Sequence, residues 1–151
     1  MRDLILKSLV IGLIAISCSS VEISELERIE HLNAESYPQK WELVKMTGSI
    51  ANQPASTGTD MAWQEYYVLF ADGNFIKSRT HENTTGEEIG TYTFKPSSDT
   101  NYLELSYKYD SELIGNCSSE PMEFLILDDS NMLVATWWAC DGPGLFYKRV
   151  E

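Results

Sequence analysis

Residues 66–79, Tyr-Tyr-Val-Leu-Phe-Ala-Asp-Gly-Asn-Phe-Ile-Lys-Ser-Arg, predict a strand, a tight turn and a second strand. Apolar and aromatic side chains alternate before the turn, at Tyr66, Val68 and Phe70, and Phe75 begins the second arm. The turn at residues 71–74 contains Asp, Gly and Asn, which tolerate the positive φ that hairpin turns require. The stretch therefore predicts an antiparallel β-hairpin.

Similar strand-and-turn units follow to the end of the chain. The predicted strands are residues 40–50, 61–70, 74–82, 89–95, 102–109, 121–127, 131–138 and 145–150, with a turn at 83–87. The apolar pattern of the first strand changes phase at Val44, which predicts a bulge or a coiled strand. Eight strands at hairpin spacing are typical of an up-and-down barrel or a sandwich. We expect an all-β, eight-stranded antiparallel up-and-down barrel with a short N-terminal helix.

The N-terminus has the features of an export signal. Arg2 and Lys7 precede an apolar run at residues 9–16 that is too short to cross a bilayer. Residues 15–18, Ala-Ile-Ser-Cys, resemble a bacterial lipobox, with Ala15 where that motif usually has Leu. The resemblance implies lipidation of Cys18; the other interpretation is a plain secretory signal with a free Cys18. Ser19 stands where an inner-membrane retention signal would often have Asp, so the resemblance favours the outer membrane. It does not indicate which leaflet.

Residues 1–17 are thus a predicted lipoprotein signal peptide, 18–39 a lipidated tether and short helix, and 40–151 the barrel. The helix is predicted at residues 21–35, where Ser24 and Glu27 have capping-box spacing. Without residues 1–17 the chain has 9 basic and 22 acidic residues, a net charge of −13. This acidity argues against nucleic acid as a partner and favours a soluble surface outside the cytoplasm.

Cys117 and Cys140 flank the sixth and seventh predicted strands. If the pairing of that hairpin continues outward, the two residues lie opposite each other or within two positions of it, which a disulfide can span. An exported chain meets an oxidising compartment, so we predict a Cys117–Cys140 disulfide; two free thiols are the alternative. Two cysteines with the distant His31 and His81 do not form a zinc motif, and we predict no metal.

The sequence contains no catalytic motif, and we expect neither an enzyme nor a cofactor. His81 beside Glu82 is interpreted as a solvated strand end. If Phe70 and Phe75 face inward, counting by two places Lys77 and Arg79 inside the barrel as well. There Arg79 either anchors a ligand carboxylate or pairs with an acid such as Glu65. Many aromatic residues lie on predicted strands, where they either fill the core or line a cavity. The candidate pocket residues are Trp63, Tyr67, Arg79 and Tyr107.

Three features of residues 40–151 resemble the lipocalin-like domains of bacterial lipoproteins, within the calycin class. They are Trp-Glu-Leu-Val at 41–44, Phe-Ala-Asp-Gly-Asn-Phe at 70–75, and Leu-Phe-Tyr-Lys-Arg at 145–149. The resemblance implies that Trp41 packs under Arg149 and closes the barrel base, and that residues 51–60 form a lid. The chain departs from the family at Gln39, where a Gly is usual, and it lacks the Thr-Asp-Tyr motif.

The first functional hypothesis is a membrane-anchored, lipocalin-like lipoprotein that binds a small, partly apolar molecule in a barrel cavity. The alternative is a filled barrel that docks onto another envelope protein and has no ligand. A filled interior would favour the second hypothesis, and an open cavity reaching Arg79 would favour the first.

Overall fold

The computed structural model describes residues 37–48, 54–95 and 101–150. The predicted signal peptide, the lipidation site Cys18 and the helix at residues 21–35 lie outside the described residues. Residues Glu35–Glu151 form one compact unit. Within the described ranges, no helix is long and apolar enough to cross a membrane.

In the described part of the chain, nine strands form one antiparallel sheet. They are β1 (Gln39–Thr47), β2 (Ser56–Thr57), β3 (Gln64–Leu69), β4 (Asn74–His81), β5 (Thr84–Lys95), β6 (Tyr102–Tyr107), β7 (Met122–Leu127), β8 (Met132–Ala135) and β9 (Gly144–Arg149). From β3 to β9 each strand pairs with the next, β1 pairs with β3, and β1 also pairs with β9, which closes the sheet. The predicted all-β, eight-stranded closed barrel is confirmed, with the two-residue β2 added at the edge of β1.

The hairpin of residues 66–79 forms as predicted. Val68 on β3 lies opposite Ile76 on β4, and the Phe70 N–H donates to the Asn74 carbonyl at 2.9 Å. Gly73 has a φ of +83°, which explains the need for glycine in the turn. The bulge predicted in the first strand is also present, because the β1–β9 register shifts between Leu43 and Lys45.

The predicted turn at residues 83–87 is wrong. The turn consists of Glu82 and Asn83, with φ of 48° and 64°, and β5 begins already at Thr84. Two consecutive residues with positive φ make a two-residue hairpin loop, so these two residues are enough to connect β4 and β5. The β-branched Thr84 and Thr85 then suit a strand better than a turn.

The predicted strand 131–138 is wrong beyond Ala135. Residues Thr136–Cys140 form a 3-10 helix, so Trp137 and Trp138 do not lie on a strand. The Trp137 ring packs against the main chain of two glycines: a Cβ at Gly115 or Gly142 would lie 2.6 or 2.4 Å from its ring atoms. This packing takes the chain out of the sheet.

The barrel has two different ends. At the turn end, β3–β4 and β7–β8 are joined by the tight connections at residues 70–73 and 128–131. At the loop end lie residues 54–63, the 3-10 helix Thr136–Cys140 and the long β6–β7 connection at residues 108–121, here called the plug loop. Between the ends, apolar side chains fill much of the interior; they include Leu69, Phe75, Leu105, Leu125 and Leu133.

Candidate functional site

A buried ionic cluster lies inside the barrel near the loop end. The Lys77 Nζ is 2.6 Å from Glu123 Oε1 and 3.5 Å from Glu65 Oε1. It also donates to the Leu113 carbonyl oxygen at 2.6 Å. All three charged side chains are almost completely buried. The ammonium group therefore has an oxygen near it for each of its three N–H donors.

Three tyrosine hydroxyls bond the two carboxylates of this cluster. The Tyr67 hydroxyl donates to Glu123 Oε2 at 2.8 Å, and the Tyr107 hydroxyl donates to the same oxygen. The Tyr147 hydroxyl donates to Glu65 Oε1 at 2.5 Å. Burial raises the pKa of all three hydroxyls well above the ordinary value, and the charges of Glu123 and Glu65 raise these pKa values further. The tyrosines therefore remain neutral donors.

Strand parity explains why these polar side chains point inward. Lys77 follows the buried Phe75 by two positions on β4, and Glu123 precedes the buried Leu125 by two on β7. Successive side chains of a strand point to opposite faces, so each polar residue shares its face with core residues. Tyr67 comes from β3 and reaches Glu123 on β7, so the cluster spans the barrel.

Arg79 lies at the outer edge of the same cluster. Its Nε donates to Glu65 Oε2, and its Nη2 donates to the Leu113 carbonyl at 3.0 Å. The Arg79 Cζ is 4.6 Å from the centroid of the Trp63 ring. The predictions that Lys77 and Arg79 face inward, and that Arg79 can pair with Glu65, are confirmed.

The plug loop closes over the cluster with its main chain. The Leu113 carbonyl accepts from Lys77 and Arg79, and the Gly115 N–H donates to Glu123 Oε1 at 2.5 Å. The loop predicted as a lid, residues 51–60, is described only from residue 54. That part is mostly exposed, and its Ser56 lies opposite Met46 on β1.

A disulfide joins the plug loop to the 3-10 helix. Cys117 and Cys140 are bonded, with their Cα atoms 5.6 Å apart, and the predicted pairing is confirmed. The predicted reason is wrong, because the β7–β8 ladder ends at the Leu125–Ala135 pair and does not continue to the cysteines. The two connections at the loop end bring the cysteines together instead.

Among the described residues, side chains at the loop end line two surface pockets. One, of about 490 Å³, is lined by Trp63, Arg79, His81, Thr84 and Glu112, among others. The Trp63 Nε1 is buried and has no hydrogen-bond partner among the described residues. The other pocket, of about 460 Å³, is lined by Thr47, Trp138, Asp141 and Phe146, among others.

The four candidate pocket residues occupy two different places. Trp63 and Arg79 contact each other beside the 490 Å³ pocket. Tyr67 and Tyr107 lie in the buried cluster, where both donate to Glu123. Sequence reasoning missed Glu123 as a core residue. The alternation Glu123, Leu125, Leu127 was the signal that would have placed it inside.

The sheet brings together Trp41 and Arg149, the two residues predicted to close the base of the barrel. Trp41 lies opposite Arg149 on the β1–β9 ladder, and the buried Trp41 Nε1 donates to the Gln39 side-chain oxygen at 3.3 Å. Directly opposite residues project from the same face of the sheet. The cation–π contact between Trp41 and Arg149 stays a prediction.

No protein-family model, curated protein or solved structure matches this chain. The lipocalin-like resemblance therefore stays a prediction, and the closed barrel is what the fold shows. Among residues 37–48, 54–95 and 101–150, no group of three or more His, Cys, Asp and Glu side chains is placed to hold a metal ion.

Proposed function

We propose that this protein is a membrane-anchored interaction module: a filled, lipocalin-like barrel, exported and held by lipid on Cys18, that docks onto another envelope protein. The observation that carries the proposal is the cluster around Lys77. It joins side chains of β3, β4 and β7 and the plug loop, and so occupies the barrel interior where a lipocalin-like protein would hold its ligand.

The cost of breaking the cluster favours a function that uses the outer surface of the barrel over ligand binding inside it. A ligand that reached Tyr67 or Tyr107 from within would have to replace their hydrogen bonds to Glu123. A buried polar group left without a partner costs about 1–3 kcal/mol, and a buried charge costs more. An apolar ligand offers no group to replace these bonds. Contacts made through the outer face of the sheet leave the cluster intact.

The test is native mass spectrometry of the full-length, lipidated protein, extracted in detergent from its own envelope, together with crosslinking before extraction. We expect a bare lipoprotein mass with the two-hydrogen deficit of the disulfide, and a protein adduct in the crosslinked sample. A retained small molecule with no protein adduct from any outward-facing site would overturn the proposal.

The Trp63 Nε1 favours a second candidate function, the binding of a small, partly apolar molecule in the 490 Å³ pocket. An unpaired buried N–H is costly, and a ligand oxygen that accepted its hydrogen bond would remove that cost. The Arg79 guanidinium at the same pocket supplies further donors for a carboxylate. The pocket volume lies in the range of small-molecule sites.

The same mass spectra test this candidate. A discrete retained mass would support it if the mass is lost from Trp63→Phe, which keeps an aromatic ring but has no N–H. Tyr109→Phe is the matched control, because Tyr109 is an exposed aromatic residue outside this pocket. A mass retained by Trp63→Phe would place the ligand elsewhere.

A further inference from the structure

Strand β5 extends well beyond the strand that pairs with its outer side. It pairs with β4 along residues 84–91, but with β6 only from Gly90 to Lys95. In the part of the chain that is described, residues 84–89 thus have a neighbouring strand on one side alone. Barrel closure normally removes such edges, so this one is an exception within a closed sheet.

The hairpin geometry shows which main-chain groups face outward. The two-residue turn Glu82–Asn83 makes His81 and Thr84 a hydrogen-bonded pair, and the pairs then alternate along the ladder. The N–H and C=O groups of Thr85 and Glu87 therefore point away from β4. Among the described residues, the loops provide no main-chain partner for either.

The edge is accessible to another chain. Thr85 and Glu87 are exposed, and Ile89 is 67% exposed, one of the most exposed large apolar side chains among the described residues. The 490 Å³ pocket begins at Thr84 and Gly86, and so lies directly beside this edge.

We propose that the β5 edge, residues 84–89, accepts an extended, basic segment of an envelope partner as an added strand. This inference rests on the proposed function and names the partner's chemistry. Main-chain hydrogen bonds to Thr85 and Glu87 supply the binding, and the side chains select the sequence. A Lys or Arg lies beside Glu87, and an apolar residue packs on Ile89.

Charge selects a basic segment over a second copy of this chain. Glu87 and Glu88 are adjacent on the edge, and the whole chain has a net charge of −12. In an antiparallel pair of two β5 edges centred on Glu87, whose N–H and C=O point outward, Glu87 of one copy would lie directly opposite Glu87 of the other. Like charges directly opposite each other destabilise a sheet.

The test uses the full-length protein in detergent and two capped synthetic peptides of equal length. In the Lys-Val peptide, Lys and Val take turns at every second position with Thr between them, so that both lie on the face that Glu87 shares with Ile89. In the Glu-Val peptide, Glu replaces each Lys. We expect the Lys-Val peptide to slow amide hydrogen exchange at Thr85 and Glu87, and to bind at least tenfold more tightly than the Glu-Val peptide. Glu87→Pro removes an outward N–H and leaves the β4 ladder intact, so it should weaken Lys-Val binding at least tenfold.

Glu87→Lys should weaken binding of the Lys-Val peptide through charge alone. Glu120→Lys, an exposed site on the plug loop with the same change in charge, is the control and should bind normally. Equal binding of both peptides, or unchanged binding by Glu87→Pro, would overturn the inference. Protection of this edge that rises with protein concentration alone would assign it to a second copy instead.

Photocrosslinkers placed in cells separate this inference from the proposed function. If a probe at Glu87 gives an adduct and the added substitution Thr85→Pro abolishes it, the result supports both the interaction module and the β5 edge as its docking site. An adduct formed only from a probe on another face, such as Tyr66 on β3, leaves the interaction module standing and overturns the β5 edge as its docking site. The absence of an adduct from any site overturns the module itself.

Discussion

The Nζ of Lys77 lies 2.6 Å from the Oε1 of Glu123, and both side chains are almost completely buried inside the barrel. Two buried ions lose most of their hydration, and only close pairing with further hydrogen bonds compensates for that loss. Here Tyr67, Tyr107 and the Gly115 N–H complete the partners of Glu123. The pair therefore depends on side chains and main chain from several strands at once.

Removal of the ammonium group should destabilise the barrel strongly. In Lys77→Met the side chain keeps most of its length, but Glu123 and Glu65 lose the cation between them. We expect the free energy of unfolding to fall by about 3–5 kcal/mol, the usual cost of an uncompensated buried charge. Denaturant unfolding monitored by tryptophan fluorescence measures this change.

Lys95→Met is the matched control for this substitution. Lys95 is 53% exposed, and its Nζ lies 3.5 Å from Glu104 in a surface ion pair. Such pairs contribute about 0–1 kcal/mol, so the control should be almost as stable as the natural chain. Equal losses in the two variants would show that the Lys77 charge has no special role.

The cluster shows how far strand parity takes a prediction. Counting by two from Phe75 placed Lys77 and Arg79 inside, and Glu65 was a named partner of Arg79. The same count on β7 would have placed Glu123 inside, but the apolar run after it disguised the alternation. Counting by two predicts the face of each side chain correctly where a strand has no bulge, and it does not require the partner strand to be known.

The plug loop could not be predicted by such counting. Its contacts to the cluster come from the Leu113 carbonyl and the Gly115 N–H. These are main-chain groups, which do not depend on the residue type and so leave no mark in the sequence. The path of the 3-10 helix depends on Trp137 packing against two glycines that are distant in sequence from one another. Contacts of this kind follow from the assembled barrel and leave no local pattern.

The raised pKa values of Tyr67, Tyr107 and Tyr147 predict a loss of stability in alkali. The unfolded chain releases these protons above about pH 10, whereas the folded barrel holds them, so unfolding becomes easier as pH rises through and beyond that value. Each tyrosine contributes a slope of about 1.4 kcal/mol per pH unit, or about 4 for all three.

Denaturant unfolding above about pH 11, where the unfolded chain has released nearly all of these protons, measures this slope. Tyr147→Phe should lower it by about 1.4 kcal/mol per pH unit, because one titrating group is removed. Tyr109→Phe, at an exposed position, should leave the slope unchanged. A slope that Tyr147→Phe does not alter would mean that Tyr147 ionises equally in both states.

The close approach of β5 to β6 and β4 should make Gly90 sensitive to substitution. A Cβ there would lie 2.1 Å from the Ser106 carbonyl oxygen and 2.7 Å from the Phe75 ring. Because the first contact is with main chain, Gly90→Ala must shift a strand, and we expect a loss of about 3 kcal/mol in denaturant unfolding.

Gly86→Ala is the matched control on the same strand. A Cβ at Gly86 would meet the end of the Leu113 side chain at 3.2 Å, and that side chain can move. Its effect should be below about 1 kcal/mol, since the alanine also restricts the unfolded chain. A larger loss at Gly86 than at Gly90 would contradict the packing described for the two positions.

Reduction of the Cys117–Cys140 disulfide should loosen the plug loop before it unfolds the barrel. The bond closes a loop with a sequence separation of 23, and loss of such a crosslink costs about 3 kcal/mol by loop-closure entropy. We expect a lower melting temperature after reduction. Faster hydrogen exchange should appear first at Gly115, whose N–H depends on the position of the plug loop.

The double variant Cys117→Ser with Cys140→Ser should reproduce both effects without a reductant. The amide of Tyr92 is the internal reference, because its N–H donates to the Gly73 carbonyl at 2.8 Å at the turn end, far from the disulfide in the fold. Exchange at Tyr92 should follow only the global loss of stability. If Gly115 and Tyr92 accelerated equally, the disulfide would stabilise the barrel as a whole and would not act through the plug loop.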